Sequence, residues 1–191
     1  MNRPKLTPWK TLSKKTLLDF GKFLKVESHQ VELPNGTIIP DWSFLIGPNA
    51  AIVLAETVDK EYLCFHQVRY AIEGETLAAI GGHVEEGEDP LVAAKRELLE
   101  ETGYEAAEWI SLGQLRFDPS RGLGTSNLFF ARGVRKVAGV NSDDLEEQHL
   151  LKLSRKELEQ ASRNGEFKVA SWAALVAMSL NILYVEDKLV S

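Results

Sequence analysis

Apolar and polar residues alternate along residues 9–20 and 22–33, the two-residue period of a strand with one face turned inward. Pro34-Asn35-Gly36 then supplies turn chemistry before a third such run over residues 37–46. Residues 50–57 (AAIVLAET) and 61–69 (EYLCFHQVR) are more continuously apolar and predict buried strands joined by a turn at Asp59-Lys60. A short strand is expected over residues 75–80. Further along, residues 107–117 and 127–137 predict two strands flanking a loop, DPSRGLGTS, and an acidic loop over residues 143–149 leads into a strand at 150–153. Two helices close the pattern, residues 155–163 and 168–179, with Asn164-Gly165 as the stop between them. Strands in this mixed order, with helices in the middle and at the end, predict an α+β sandwich.

The period changes to that of a helix after residue 89. Asp89 suits the cap, Pro90 the first helical position and Gly103 the residue past the end. Leu91, Ala94 and Leu98 form one stripe expected to pack inward. Glu97, Glu100 and Glu101 fall largely on the other face, three and four residues apart, so they project together. Two carboxylates roughly 6 Å apart repel by about 3 kcal/mol at an effective dielectric of about 20. Such a cluster invites a cation, and all-oxygen donors favour Mg²⁺ or Mn²⁺ over zinc. Upstream, Gly81, Gly82 and Gly87 give a flexible turn that lets Glu88 and backbone carbonyls approach the same point. Arg96 is placed to hold Glu97 and Glu100 in a fixed geometry. A solvated acidic helix face is the plainer explanation of a glutamate pair taken alone.

Composition changes this picture little. The 191 residues are 44% hydrophobic and 26% charged, with net charge −6, as expected of a soluble globular chain and against a nucleic-acid-coating role. A single cysteine, Cys64, precludes an intrachain disulfide and sits in an apolar run where it is expected to be buried. The N-terminus lacks a signal-like apolar stretch, and residues 172–178 are too short to span a bilayer. A cytoplasmic protein is the expectation. Residues 3–25 hold seven lysines and arginines against one acid, Asp19, read as a solvated strand face.

The segment from Gly82 to Tyr104 resembles the Nudix box, G-x5-E-x7-R-E-U-x-E-E-x-G-U with U apolar. Gly82, Glu88, Arg96, Glu97, Leu98, Glu100, Glu101, Gly103 and Tyr104 supply its positions, and the fixed ones would match by chance with odds on the order of one in a million. The resemblance implies a Nudix-fold α/β/α sandwich with a mixed sheet over residues 49–191. Residues 1–48 would form an N-terminal β extension. It also implies metal-dependent hydrolysis of a nucleoside diphosphate linked to another group, with two or more Mg²⁺ or Mn²⁺ ions held by Gly81 (through its carbonyl), Glu97, Glu100 and Glu101.

Three features are similar to the ADP-ribose pyrophosphatase branch of that superfamily. Pro119 lies fifteen residues beyond Tyr104; Gln67-Val68-Arg69 resembles an R-Q-x-R stretch; and the end of the chain resembles the branch's closing helices. That resemblance implies ADP-ribose as substrate, Arg69 as a phosphate clamp, Trp42 as a base-stacking aromatic, Arg121 as a further substrate contact, and a homodimer built by the extension. The catalytic set it implies is Glu146, with Glu147 as the alternative base, together with Glu100 and Arg96. One departure is the stretch before the box, where Ala78 and Ile80 replace the branch's glutamate and proline. It leaves room for other nucleoside diphosphate sugars such as GDP-mannose, then for polyphosphate hydrolysis, or for a ligand sensor without hydrolysis.

Overall fold

Glycine and proline punctuation divides much of the chain into strands. The computed structural model describes residues 3–140, 147–181 and 189–190. Contacts divide the chain into two units, residues 1–48 with 116–124, and residues 49–115 with 125–191.

The first unit is a meander of β1 (Lys10–Asp19), β2 (Lys25–Glu32) and β3 (Ile38–Ile46), antiparallel from Lys10↔Glu32 and Lys25↔Ile46. The Pro-Asn-Gly turn forms as expected. Leu33 and Thr37 close it through an N–H···O bond of 2.9 Å, and the Asn35 side chain accepts from the Thr37 N–H. Val31 and His29 are the buried residues of β2; the His29 ring stacks on Phe44 and bonds Glu27 at 2.7 Å.

The second unit holds β4 (Ala50–Thr57), β5 (Tyr62–Val68), β6 (Glu75–Ala78), β7 (Ile80–His83), α1 (Pro90–Thr102), β8 (Tyr104–Glu105), β11 (Gln148–Leu153), α2 (Arg155–Arg163), α3 (Ala170–Leu180) and β12 (Leu189–Val190). Strands β9 (Glu108–Asp118) and β10 (Gly122–Lys136) pass through both units. The sheet is mixed: β10 runs parallel to β4 from Ser126↔Ala50 to Val134↔Thr57, and β5 and β11 follow antiparallel. β4 and β5 pair only at Ala55↔Leu63 and Glu56↔Tyr62. Beyond that point they splay, with β6 running along β5 and β7 along β4. One face packs Val53, Leu63, Phe65 and Ile80 under Ala93, Ala94 and Leu98 of α1. The other packs Leu54, Cys64 and Phe130 under Leu158 of α2 and Leu175 of α3. Helices on both faces make the α/β/α sandwich expected of the sequence.

One expectation is corrected. The segment DPSRGLGTS is not a loop; only Pro119, Ser120 and Arg121 turn, and β10 already begins at Gly122. Gly122 and Gly124 have φ of 99° and 76°, and a Cβ on them would lie 2.4 Å from the Leu45 oxygen and 2.3 Å from the Pro48 oxygen. These glycines serve close strand approach rather than flexibility. The short pairings of β7, β8 and β12 also went unread. Cys64 is fully buried, which pushes its thiol up to about 12.

Candidate active site

Helix α1 is fixed at both ends by the residues its sequence marks. Asp89 Oδ1 accepts from the Leu91 and Val92 N–H groups at 2.8 and 3.3 Å, Pro90 opens the helix, and Gly103 ends it at φ 74° with its N–H on the Leu99 oxygen. Replacing Asp89 by Ala removes this cap and its charge at the helix N-terminus, so urea unfolding should shift by about 1 kcal/mol. A change below about 0.3 kcal/mol would show the cap to be idle. Ala94 and Leu98 pack inward as expected and Leu91 partly so, with Ala93 and Thr102 widening the buried face.

The glutamates form a gradient of burial rather than one solvent-facing row. Glu101 is only 8% exposed, and its Oε2 accepts from the Gly81 N–H at 2.9 Å. Its expected place among the outward residues is thus corrected: β7 lies close enough to cover it. The Glu97 carboxylate lies directly against Gly82, where a Cβ would stand 2.5–2.7 Å from its atoms. Any side chain at position 82 would push that carboxylate away. Glu100 is the most open of the three, its side chain 45% exposed.

Arg96 is the hub. Its Nε and Nη2 donate to the two oxygens of Glu88 at 3.1 Å each, Nη1 donates to Glu97 Oε1 at 2.7 Å and Glu100 Oε2 at 3.1 Å, and Nη2 also reaches the His83 carbonyl at 3.1 Å. The guanidinium bonds hold the Glu88 carboxyl below the usual carboxylate range, helped by the Glu85 N–H. Glu88 in turn, with Glu97 and Glu100, drives the Arg96 pKa upward. Glu88 therefore ties the glycine loop to the helix. Among the described residues no three acidic, histidine or cysteine side chains converge as an ion cage; Arg96 draws two of the glutamates to itself instead. The donor set still fits a hard cation. It is all oxygen, three carboxylates with the Gly81 carbonyl, two of the carboxylates are held by one planar group, and Gly82 leaves the Glu97 carboxylate a place that a Cβ would take.

The other sequence-marked residues are distributed between the units. Arg69 follows β5 in the second unit and is half-buried, its carbonyl accepting from the Ile72 N–H. Trp42 and Arg121 come together in the first unit. Trp42 donates from Nε1 to the Ser120 carbonyl at 2.9 Å and meets Trp9 edge-on at 5.1 Å, while Arg121 donates from Nε to Ser43 Oγ at 3.4 Å. Glu146 lies outside the described residues. Glu147 is exposed, its carboxylate 3.5 Å from the His149 ring. Ala78 and Ile80, where the chain departs from the branch, are core residues at 1% and 0% exposure; a glutamate at 78 would be buried among apolar groups here. Sequence reading missed Trp9 and the carboxamide of Gln67. The R-Q-x-R likeness had pointed at the latter's neighbour Arg69 alone.

The NUDIX domain family matches residues 46–182, and the nucleoside diphosphate sugar hydrolase N-terminal domain matches residues 9–45. The ADP-ribose pyrophosphatase of Bacillus subtilis is 27% identical over 180 residues, covering 94% of this chain and 95% of that protein. A methanol dehydrogenase activator of Bacillus methanolicus is 34% identical over 131 residues, 65% of this chain and 68% of that protein. A CMP-5'-(N-acetyl-N-hydroxy-3-aminopropyl)phosphonate hydrolase of Streptomyces rubellomurinus is 32% identical over 62% of this chain, which spans only 57% of that protein. The crystal structure of an ADP compounds hydrolase shares the fold, with TM-score 0.76 at 20% identity over 92% of this chain and 94% of that one. With the box running from Gly82 through α1 and the domain match covering most of the sequence, the chain belongs to the Nudix hydrolase family, and residues 9–45 match the N-terminal domain of nucleoside diphosphate sugar hydrolases.

Proposed function

We propose that this hydrolase cleaves the pyrophosphate of a nucleoside diphosphate sugar, ADP-ribose first, giving AMP and ribose 5-phosphate. The observation that carries the reading is the pair Glu97 and Glu100, held by one guanidinium beside Gly82. The relative matched along nearly its whole length, an ADP-ribose pyrophosphatase, supports the choice of substrate. The residues to hold two or more Mg²⁺ or Mn²⁺ ions are Glu97, Glu100, Glu101 and the Gly81 carbonyl. Bound there, such ions neutralise pyrophosphate charge and lower the pKa of a coordinated water.

The chain's own groups do the rest. Arg96 keeps the carboxylates oriented. Glu146, or Glu147 beside it, takes the proton of the attacking water, which must lie within hydrogen-bond reach. Arg69 grips phosphate oxygens through a planar fork, and Trp42 offers an indole face to the base, with Arg121 next to it.

A product assay tests this. With Mg²⁺, ADP-ribose should give equal amounts of AMP and ribose 5-phosphate, and nucleoside triphosphates should be poor substrates. Faster turnover of a triphosphate would overturn the assignment. GDP-mannose or another nucleoside diphosphate sugar is the second reading; the core placement of Ala78 and Ile80 and a relative acting on a CMP-linked compound favour it.

A homodimer belongs to the same proposal. All ten residues of β1 are exposed, and Trp9, Leu12, Leu17, Leu18, Phe20 and Phe23 lie open on or beside it. A monomer rarely leaves a long apolar edge strand bare. Light scattering at micromolar concentration should give twice the 21.3 kDa chain mass, and Leu12→Glu with Leu18→Glu should halve it. A wild type that runs as a monomer would remove the dimer.

A further inference from the structure

Gln67 is 3% exposed, yet among the described residues neither its Oε1 nor its Nε2 has a hydrogen-bond partner. A carboxamide brings two donors and two acceptors, and buried polar groups left unmet are rare enough to call for an explanation. The neighbours across the sheet do not supply one. Register sets Gln67 beside Thr76 on β6 and Gln148 on β11. Thr76 Oγ1 is already engaged with the Glu166 oxygen at 3.0 Å and the Lys168 N–H at 3.2 Å.

The side it faces follows from the strand period. Leu63 and Phe65 pack under α1 with Ala94 and Leu98, so Gln67, two residues on, projects from the same face of β5. That is the face on which Glu97 meets Gly82 of β7. It also lies on the arm of β5 that leads to Arg69, where β4 and β5 have splayed apart.

We propose that Gln67 is a specificity-determining residue whose carboxamide hydrogen-bonds vicinal hydroxyls on the sugar of the substrate. The inference rests on the nucleoside diphosphate sugar reading above. Phosphate oxygens only accept and would satisfy Nε2 while leaving Oε1 unmet; a diol carries donors and acceptors at adjacent positions and meets both.

The test compares ADP-ribose with the β-methyl ester of ADP, which offers the same AMP-forming cleavage and keeps the adenosine ribose but lacks the distal sugar and its hydroxyls, both with Mg²⁺. Wild type should favour ADP-ribose in kcat/KM by about 10–100-fold or more, since a polar site left unpaired penalises the smaller compound. Gln67→Met keeps the volume and removes the polar atoms. It should lower kcat/KM for ADP-ribose about 10–100-fold, chiefly through KM, and leave the methyl ester within about twofold. Its melting temperature should be equal or higher. Equal losses on both compounds, or no loss on ADP-ribose, would overturn the proposal. If Gln67→Met does not fold, the wild-type ratio decides, and a value below about threefold overturns it. Cleavage of neither compound would defeat the parent reading and this one with it, whereas ADP-ribose cleavage without hydroxyl selectivity would defeat this one alone.

Discussion

Glu97→Gln should lower kcat by about 10³-fold while the melting temperature moves by only a few degrees. The substitution is isosteric, so the side chain can still lie against Gly82 and accept from Arg96 through its remaining oxygen. What disappears is the negative charge, at a position with 13% side-chain exposure where water screens little. A divalent cation held here would lose a charged donor, and an interaction made mainly as charge develops affects kcat more than KM. Steady-state kinetics on ADP-ribose with Mg²⁺, alongside circular dichroism, separate chemistry from folding. Activity within threefold of wild type would mean that Glu97 holds no ion in turnover.

The second large effect concerns stability. Gly81→Ala should cost about 3 kcal/mol or more, a large share of the roughly 5–15 kcal/mol that holds a typical domain folded. Gly81 sits at φ 137°, and a Cβ there would lie 2.1 Å from the Ala51 oxygen and 3.0 Å from the Ile52 Cα. Both obstacles are backbone of β4, to which β7 is paired through Ile52↔Gly81, so neither can swing aside. The same shift would break the bond from the Gly81 N–H to Glu101. Gly87 is the control. Its φ of 80° is also left-handed, but nothing lies within 4 Å, so Gly87→Ala should cost only about 1 kcal/mol. Urea unfolding of the two variants side by side checks the difference, and equal costs would contradict the clash.

How much of this was legible depended on whether the determining contact was local. Helix α1 was, because Asp89, Pro90 and Gly103 announce its ends and Ala94 and Leu98 its inner stripe. β4 and β5 were, because continuous apolar runs between turn signals have few other readings. Arg96 was half legible: its reach to Glu97 and Glu100 follows from helical spacing, but its bonds to Glu88 and the His83 carbonyl depend on how the glycine loop folds back. Glu101 was misjudged because helical periodicity says which residues share a face, not what comes to lie over it. The β10 start was misjudged because Gly122 and Gly124 carry the composition of a loop while answering a steric demand from Leu45 and Pro48. The unmet hydrogen bonds of the Gln67 carboxamide could not be read at all, since they arise only once three strands are in register.

An acidic helix end normally waits for a counter-ion from solution before it is comfortable. Here one side chain of the helix itself, through Nη1 and the fork to Glu88, performs that duty from the moment the chain closes. The scaffold is thereby uncoupled from its cargo: dialysis against a chelator would silence the chemistry and leave the architecture standing.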